Sequence, residues 1–173
     1  MNQKIKLKLY VEITGGERSD SVCPVAYATI IKPKQIFCGW GILKDTAAAY
    51  AYGICAALDS NLIEEKEFDL VEDQSVEIIS SHTGYWNMLP HHEKSMENRS
   101  VTKVLDEAEI WQRLAMFRHW FDIQHPRKPE SREEMAACND AKKRSNHHLE
   151  AWKLRAQTAE VGMHKENREA YGV

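Results

Sequence analysis

The sequence predicts an α/β domain whose first three strands form an antiparallel meander, and three observations carry that prediction. Residues 5 to 13, IKLKLYVEI, alternate without a fault: Ile5, Leu7, Leu9, Val11 and Ile13 share one face, and Lys6, Lys8, Tyr10 and Glu12 the other. That is the period of a strand with one side in a core. Two further β-branched and aromatic runs, VAYATII (25–31) and QIFCGWGIL (35–43), follow in quick succession and read as the next two strands. From residue 45 onward the apolar spacing changes from two to that of helices.

Each element has its own signal. Gly15 and Gly16 end the first strand, and Pro33 closes the second. Asp45 or Thr46 can cap a helix through DTAAAYAYGICAALDSN, which places Ala47, Tyr50, Ala51, Ile54, Cys55 and Leu58 on one face against a sheet. Gly53 inside it costs about 1 kcal/mol against Ala, a cost that suits a close approach. After the acidic stretch IEEKEFDLVEDQ, a fourth strand runs into SSHTGYW (80–86). A polar loop around PHHEKSMEN leads to a second helix, VTKVLDEAEIWQRLAMF, with Val104, Ala108, Trp111 and Ala115 in step. HWFDIQ (119–124) fits either a short last strand or the end of that helix. PRKPES is a loop by its prolines, and residues 133 to 157 again have helical composition. The expected organisation is one domain over residues 1–157 and a polar tail over 158–173.

Composition narrows the function classes. A chain of 173 residues can bury a core without disulfides or structural metal. The formal charge of -3 argues against a domain that is basic throughout, so any phosphate-binding surface is local. Cys23, Cys38, Cys55 and Cys138 form no CxxC pair, which suggests neither a zinc site nor a disulfide framework. No run approaches the roughly 18 apolar residues of a membrane span, and no apolar block follows the start, so a soluble, cytoplasmic protein is expected. No Gly-rich phosphate loop, GxSxG elbow or HExxH spacing is present, and no small-molecule cofactor is expected. His82, His91, His92, His119, His125, His147 and His148 read as solvated or capping residues.

The order of elements, together with several local patterns, resembles ribonuclease H of type 1 from about Lys6 to Glu150. ITGG (13–16) sits where that family has its TDGS-like turn. AYATII (26–31) matches the second strand's GYG-A-I-L pattern, and AYAYGICAAL (49–58) matches the first helix in position. SSHTGYW corresponds to the T-D-S-x-Y-V strand end, and EIWQRL (109–114) resembles DLWQRL of a later helix. The resemblance implies an RNase H-like fold with a central mixed five-stranded sheet flanked by helices.

It also implies a site at which four carboxylates hold two magnesium ions that cut the RNA strand of an RNA–DNA hybrid. Carried over residue by residue, the four positions fall on Thr14, Tyr50, His82 and near Lys143, none of them a carboxylate. Mg²⁺ requires hard anionic oxygens, so the expectation is a nuclease-dead relative, a pseudoenzyme with no catalytic residue and no metal. A relocated site using Glu12 and Asp140 is the remaining enzymatic reading. Without the anionic cluster a cleft can hold a nucleic-acid backbone directly, and Lys142, Lys143, Arg144, Arg127, Lys128, Trp86 and Asn87 are the candidates for that role. His125 lies where the family carries a loop histidine. The rival expectation is a protein-interaction or inhibitory module, suited by the near-neutral charge, the acidic segment 64–77 and the long terminal helix, where Leu149, Trp152 and Ala156 are in step and through which a homodimer would form.

Overall fold

The computed structural model describes residues 5–15, 24–32, 35–43, 45–64, 74–86, 105–154 and 160–167. Strands β1 (Ile5–Thr14), β2 (Val25–Ile31) and β3 (Gln35–Ile42) form the antiparallel meander that the alternation predicts, with Val11 opposite Ala28 and Thr29 opposite Cys38. Gly15, at a φ of 85°, turns the chain out of β1 in the left-handed region that glycine enters without penalty. Helix α1 (Thr46–Glu64) crosses to β4 (Gln74–Ile79), which pairs with β1 in parallel. Helix α2 (Leu105–Trp120) leads into β5 (Asp122–Ile123), parallel to β4, so HWFDIQ holds both the helix end and a short strand. Helix α3 (Arg132–Lys153) is followed by β6 (Glu160–Asn167), antiparallel to β3.

The sheet order is β5-β4-β1-β2-β3-β6, with β1 and β4 in the interior. The expected class, a mixed α/β sheet flanked by helices with its first three strands antiparallel, is therefore present, but with six strands instead of five. The additional strand lies within the stretch 158–173 that was expected to be a polar tail. Its sequence, EVGMHKEN, lacks an apolar alternation because it joins the sheet at an edge. Gly162 makes the pairing possible: it faces Trp40 across the ladder, and a Cβ there would run into the indole ring.

One sheet face packs on α1 and α2. Leu7, Leu9, Val11 and Ile13 of β1 join Ala26, Ala28 and Ile30 of β2 and Phe37 of β3 against Tyr50, Ile54 and Leu58 of α1. Burying each large aliphatic side chain contributes about 2 kcal/mol. The interface is lined with small residues because α1 lies very close to β3. A Cβ at Gly39 would come within 3.0 Å of the Ala57 nitrogen, the Ala56 methyl and the Gly53 carbonyl. On α2 the buried residues are Ile110, Trp111, Leu114 and Phe117, whereas Ala115, expected in step, is exposed.

Among the described residues, the other sheet face is covered chiefly by α3. Ser131 accepts from the Glu134 amide at 3.1 Å in a capping box that starts the helix. Its inward stripe is Glu134, Ala137, Cys138, Ala141, Ser145, Leu149 and Trp152. Leu149 and Trp152 pack with Val25 and Ile42 of this same chain. The stripe expected to seat a partner or a second copy is thus covered from within, which corrects that expectation at its two large residues. His148 lies between the rings of Tyr27 and Trp40, at centroid distances of 5.5 and 4.9 Å. No helix among the described residues is long and apolar enough to cross a membrane.

Gly39→Ala is expected to destabilise the fold by about 1–3 kcal/mol through overpacking of backbone on backbone. Gly84→Ala, whose Cβ would meet nothing within 4 Å, is expected to leave the urea midpoint unchanged, and equilibrium unfolding of both variants checks the contrast.

Candidate functional site

The carboxyl ends of β1 and β4 lie side by side, with Tyr10 opposite Ile79, and open α/β sheets place their working groups at such ends. Continuing that register sets Ser81 beside Glu12. The Glu12 carboxylate is 1% exposed, and its Oε1 accepts from the Ser81 amide and the Ser81 hydroxyl, both at 2.8 Å. Ser80, fully buried, accepts from the His82 amide at 3.2 Å and donates to the His82 carbonyl at 3.3 Å, which fixes the turn out of β4. Beyond it a helical turn begins at Gly84.

Three rings run inward from this turn. The exposed His82 ring meets Tyr85 edge-on at 6.2 Å, and half-buried Tyr85 lies tilted on Tyr50 at 5.8 Å. Tyr50 is fully buried, as its helical spacing implied, and its hydroxyl makes no hydrogen bond of normal geometry. Burial raises the Tyr50 phenol well above its usual range; Ser80 close by offsets part of that rise, and the Glu12 charge adds to it.

Helix α3 supplies the other wall. The Thr14 hydroxyl hydrogen-bonds the buried Ser145 hydroxyl, and the Lys142 ammonium donates to the Ile13 carbonyl. Lys143, near which the carried-over position falls, is exposed. A helix turns about 100° per residue, so an offset of two residues puts the expected position on the opposite side. The residue facing Thr14 is Ser145. Its signal was the spacing of Cys138, Ala141, Ser145, Leu149 and Trp152, a stripe of small residues followed by large ones that reads as one buried face. Ser80 and Ser81 carried no signal beyond ending a strand.

The remaining candidates are not gathered at this site. Arg144 pairs with Asp140 at 2.8 Å on the outer side of α3. Of the two carboxylates of the relocated-site reading, Glu12 is buried with its Oε1 on Ser81, and Asp140 is exposed and paired with Arg144. Trp86 packs in the core with the Arg118 guanidinium 5.7 Å above its ring. Lys128 is exposed, and His125 sits in the loop with its Nδ1 3.0 Å from the Pro126 carbonyl. Asn87, Cys23, His91, His92, Val104 and Ala156 lie outside the described residues. Cys55 and Cys138 are buried thiols; burial lifts Cys55 beyond its usual range and pushes Cys138 up to about 12, so neither is a ready nucleophile.

Arg127 is held in an ion-pair cluster at the other end of the same β1 face. Its Nε donates to Glu77 at 2.6 Å, and Nη1 and Nη2 donate to the two Glu134 oxygens at 2.9 and 2.7 Å. Lys8 reaches Glu134 at 3.0 Å and Lys6 reaches Glu77 at 3.3 Å. The paired guanidinium, followed by the Glu130 amide at 2.9 Å, holds the Glu134 carboxyl far below its usual range. Arg127 likewise lowers Glu77.

The donors at the carboxyl ends of β1 and β4 do not fit a pair of magnesium ions. Thr14, Tyr50, His82 and Ser145 supply no anionic oxygen, and Glu12 is committed to Ser81. Among the described residues no three His, Cys, Asp or Glu side chains converge as a metal-binding group.

Comparison with protein-family models and with curated proteins gives no match. Among solved structures, RNase H1 from the halophilic archaeon Halobacterium salinarum is similar over 80% of this chain and 98% of its own, at 14% identity and a TM-score of 0.40. The N-terminal RNase H domain of Rv2228c from Mycobacterium tuberculosis is similar over 82% and 98%, at 12% identity and a TM-score of 0.39.

Because the folded Glu77 and Glu134 carboxyls titrate below their unfolded range, the stability they contribute is complete above about pH 5 and is lost as the pH falls through the folded values. The urea midpoint is expected to be flat from pH 7 to about 5 and to fall below about 4. Glu134→Gln is expected to lower the midpoint at pH 7 and flatten the acid limb.

Proposed function

We propose that this chain is an RNase H-like domain that binds nucleic acid at the carboxyl ends of β1 and β4 without cutting it. The mixed sheet, with β1 parallel to β4 and β1, β2 and β3 antiparallel, supports the fold that the resemblance implies. One observation carries the reading: the Lys142 ammonium is anchored on the Ile13 carbonyl beside a neutral Thr14–Ser145 pair. In a metal-dependent nuclease, dications offset the charge of the phosphate and clamp the attacking and leaving oxygens about 4 Å apart. Here a tethered cation takes the first role, and nothing takes the second.

The energetics are consistent with direct phosphate binding. An ammonium about 4 Å from a phosphate oxygen near a protein surface is attracted by about 4 kcal/mol before desolvation. Four carboxylates would reverse that sign unless metals covered them. The partly exposed Thr14 hydroxyl, held by the buried Ser145, adds a polar group without charge.

The test is a binding titration in EDTA with labelled RNA, DNA and hybrid oligonucleotides. Binding is expected to persist without divalent metal and to weaken with salt at a slope matching a few phosphates. Lys142→Glu is expected to weaken it at least tenfold, with Lys142→Met intermediate. Binding that requires Mg²⁺ or Mn²⁺, or cleavage of the hybrid by protein free of contaminating nuclease, contradicts the reading.

A further inference from the structure

The ligand class can be narrowed from two features of the surface. First, many of the described cations are already engaged by carboxylates. Lys6, Lys8, Arg113, Arg127, Arg144 and Lys153 each face a carboxylate of this chain within 4.0 Å. A duplex presents two charged backbones and is gripped by neutralising many phosphates, for which paired cations are poor donors. Second, the turn after β4 offers aromatic surface: His82 is exposed, Tyr85 behind it is half-buried, and continuing the β1–β4 register sets His82 beside Ile13, whose carbonyl holds the Lys142 ammonium. Sequence-tolerant single-strand binders combine a few cations with rings on which bases stack.

Beneath these rings the Tyr50 hydroxyl is fully buried and makes no hydrogen bond of normal geometry, with Ser80 and the buried Glu12 carboxylate close by. A buried donor left unmade is costly, and the cost is recovered if an acceptor on a bound group, directly or through one water, reaches it. The three-ring series from His82 to Tyr50 thus leads from solvent to an unsatisfied polar end.

We infer that the site takes an unpaired nucleotide segment or strand terminus, with a base on the His82–Tyr85 rings and a phosphate at Lys142, in preference to an extended duplex. This rests on the nucleic-acid reading above and names the class of ligand within it.

The experiment is fluorescence anisotropy in EDTA with a labelled single strand of about five nucleotides, as RNA and as DNA, and with the same sequence as an RNA–DNA hybrid. The single strands are expected to bind more tightly than the hybrid. His82→Ala, at an exposed position, is expected to weaken single-strand binding about tenfold. Tyr50→Phe is expected to weaken it several-fold while melting at the same or a higher temperature than the parent, since the variant removes a buried hydroxyl that makes no hydrogen bond of normal geometry; a purely structural tyrosine would show the stability change alone. Tighter binding of the hybrid, or single-strand binding unchanged in both variants, overturns the inference and leaves the nucleic-acid reading standing. Failure of every oligonucleotide to bind at low salt overturns both.

Discussion

The polar face of the central strand must be satisfied under a helix, and the rest of the molecule follows from how that is done. Lys6, Lys8, Tyr10, Glu12 and Thr14 point to one side of β1, and α3 closes over most of them. Polar groups removed from water cost free energy unless they are paired, so α3 and the loop before it must supply partners in register. They do so with opposite chemistry at the two ends. Toward the start of β1, Glu77 and Glu134 bind Arg127, Lys8 and Lys6. Toward its end, Ser81 binds Glu12, Ser145 binds Thr14, and Lys142 binds the backbone.

That division is the link between stability and function. The clustered carboxylates of this face stand where they hold α3 in place, surrounded by cations, and are unavailable to a ligand at the far end of the strand. The far end carries hydroxyls, one ammonium and aromatic rings, a set suited to direct contact with a phosphate and a base. A site that recruits dications needs the reverse arrangement, with uncompensated anionic oxygen converging at the strand ends. On the proposed function, the same scaffold geometry serves binding while its donor chemistry works against phosphoester hydrolysis.

Much of this was legible in the sequence, and the parts that were not have physical reasons. The two faces of β1 follow directly from its alternation, because a strand has only two sides and a core needs one of them. The meander and the first helix were legible for the same reason, since their apolar residues are large or strongly periodic. The face of α3 was harder: its inward residues near the site are Ala137, Cys138, Ala141 and Ser145, too small to stand out, while the prominent KKR triplet lies largely on the solvent side. Periodicity in α2 was misread at Ala115 for a related reason, as alanine is at home on either face. β6 gave no signal, because an edge strand paired on one side needs no alternating apolar pattern; among the described residues the Trp40–Gly162 pair marks its place. Arg127 was visible as a cation, but the two carboxylates that engage it come from positions 50 residues before and seven after it, a proximity that only the fold creates.

The central claim concerns which charges stand at the ends of β1 and β4, and diffraction measures it most directly. Crystals grown with millimolar Mn²⁺ and an RNA–DNA hybrid, with data collected at the manganese absorption edge, report any metal in the site as an anomalous peak. The account predicts no peak between Thr14, His82 and Ser145, with the Lys142 ammonium still on the Ile13 carbonyl. Two peaks about 4 Å apart in that space, ligated by Glu12, would contradict it.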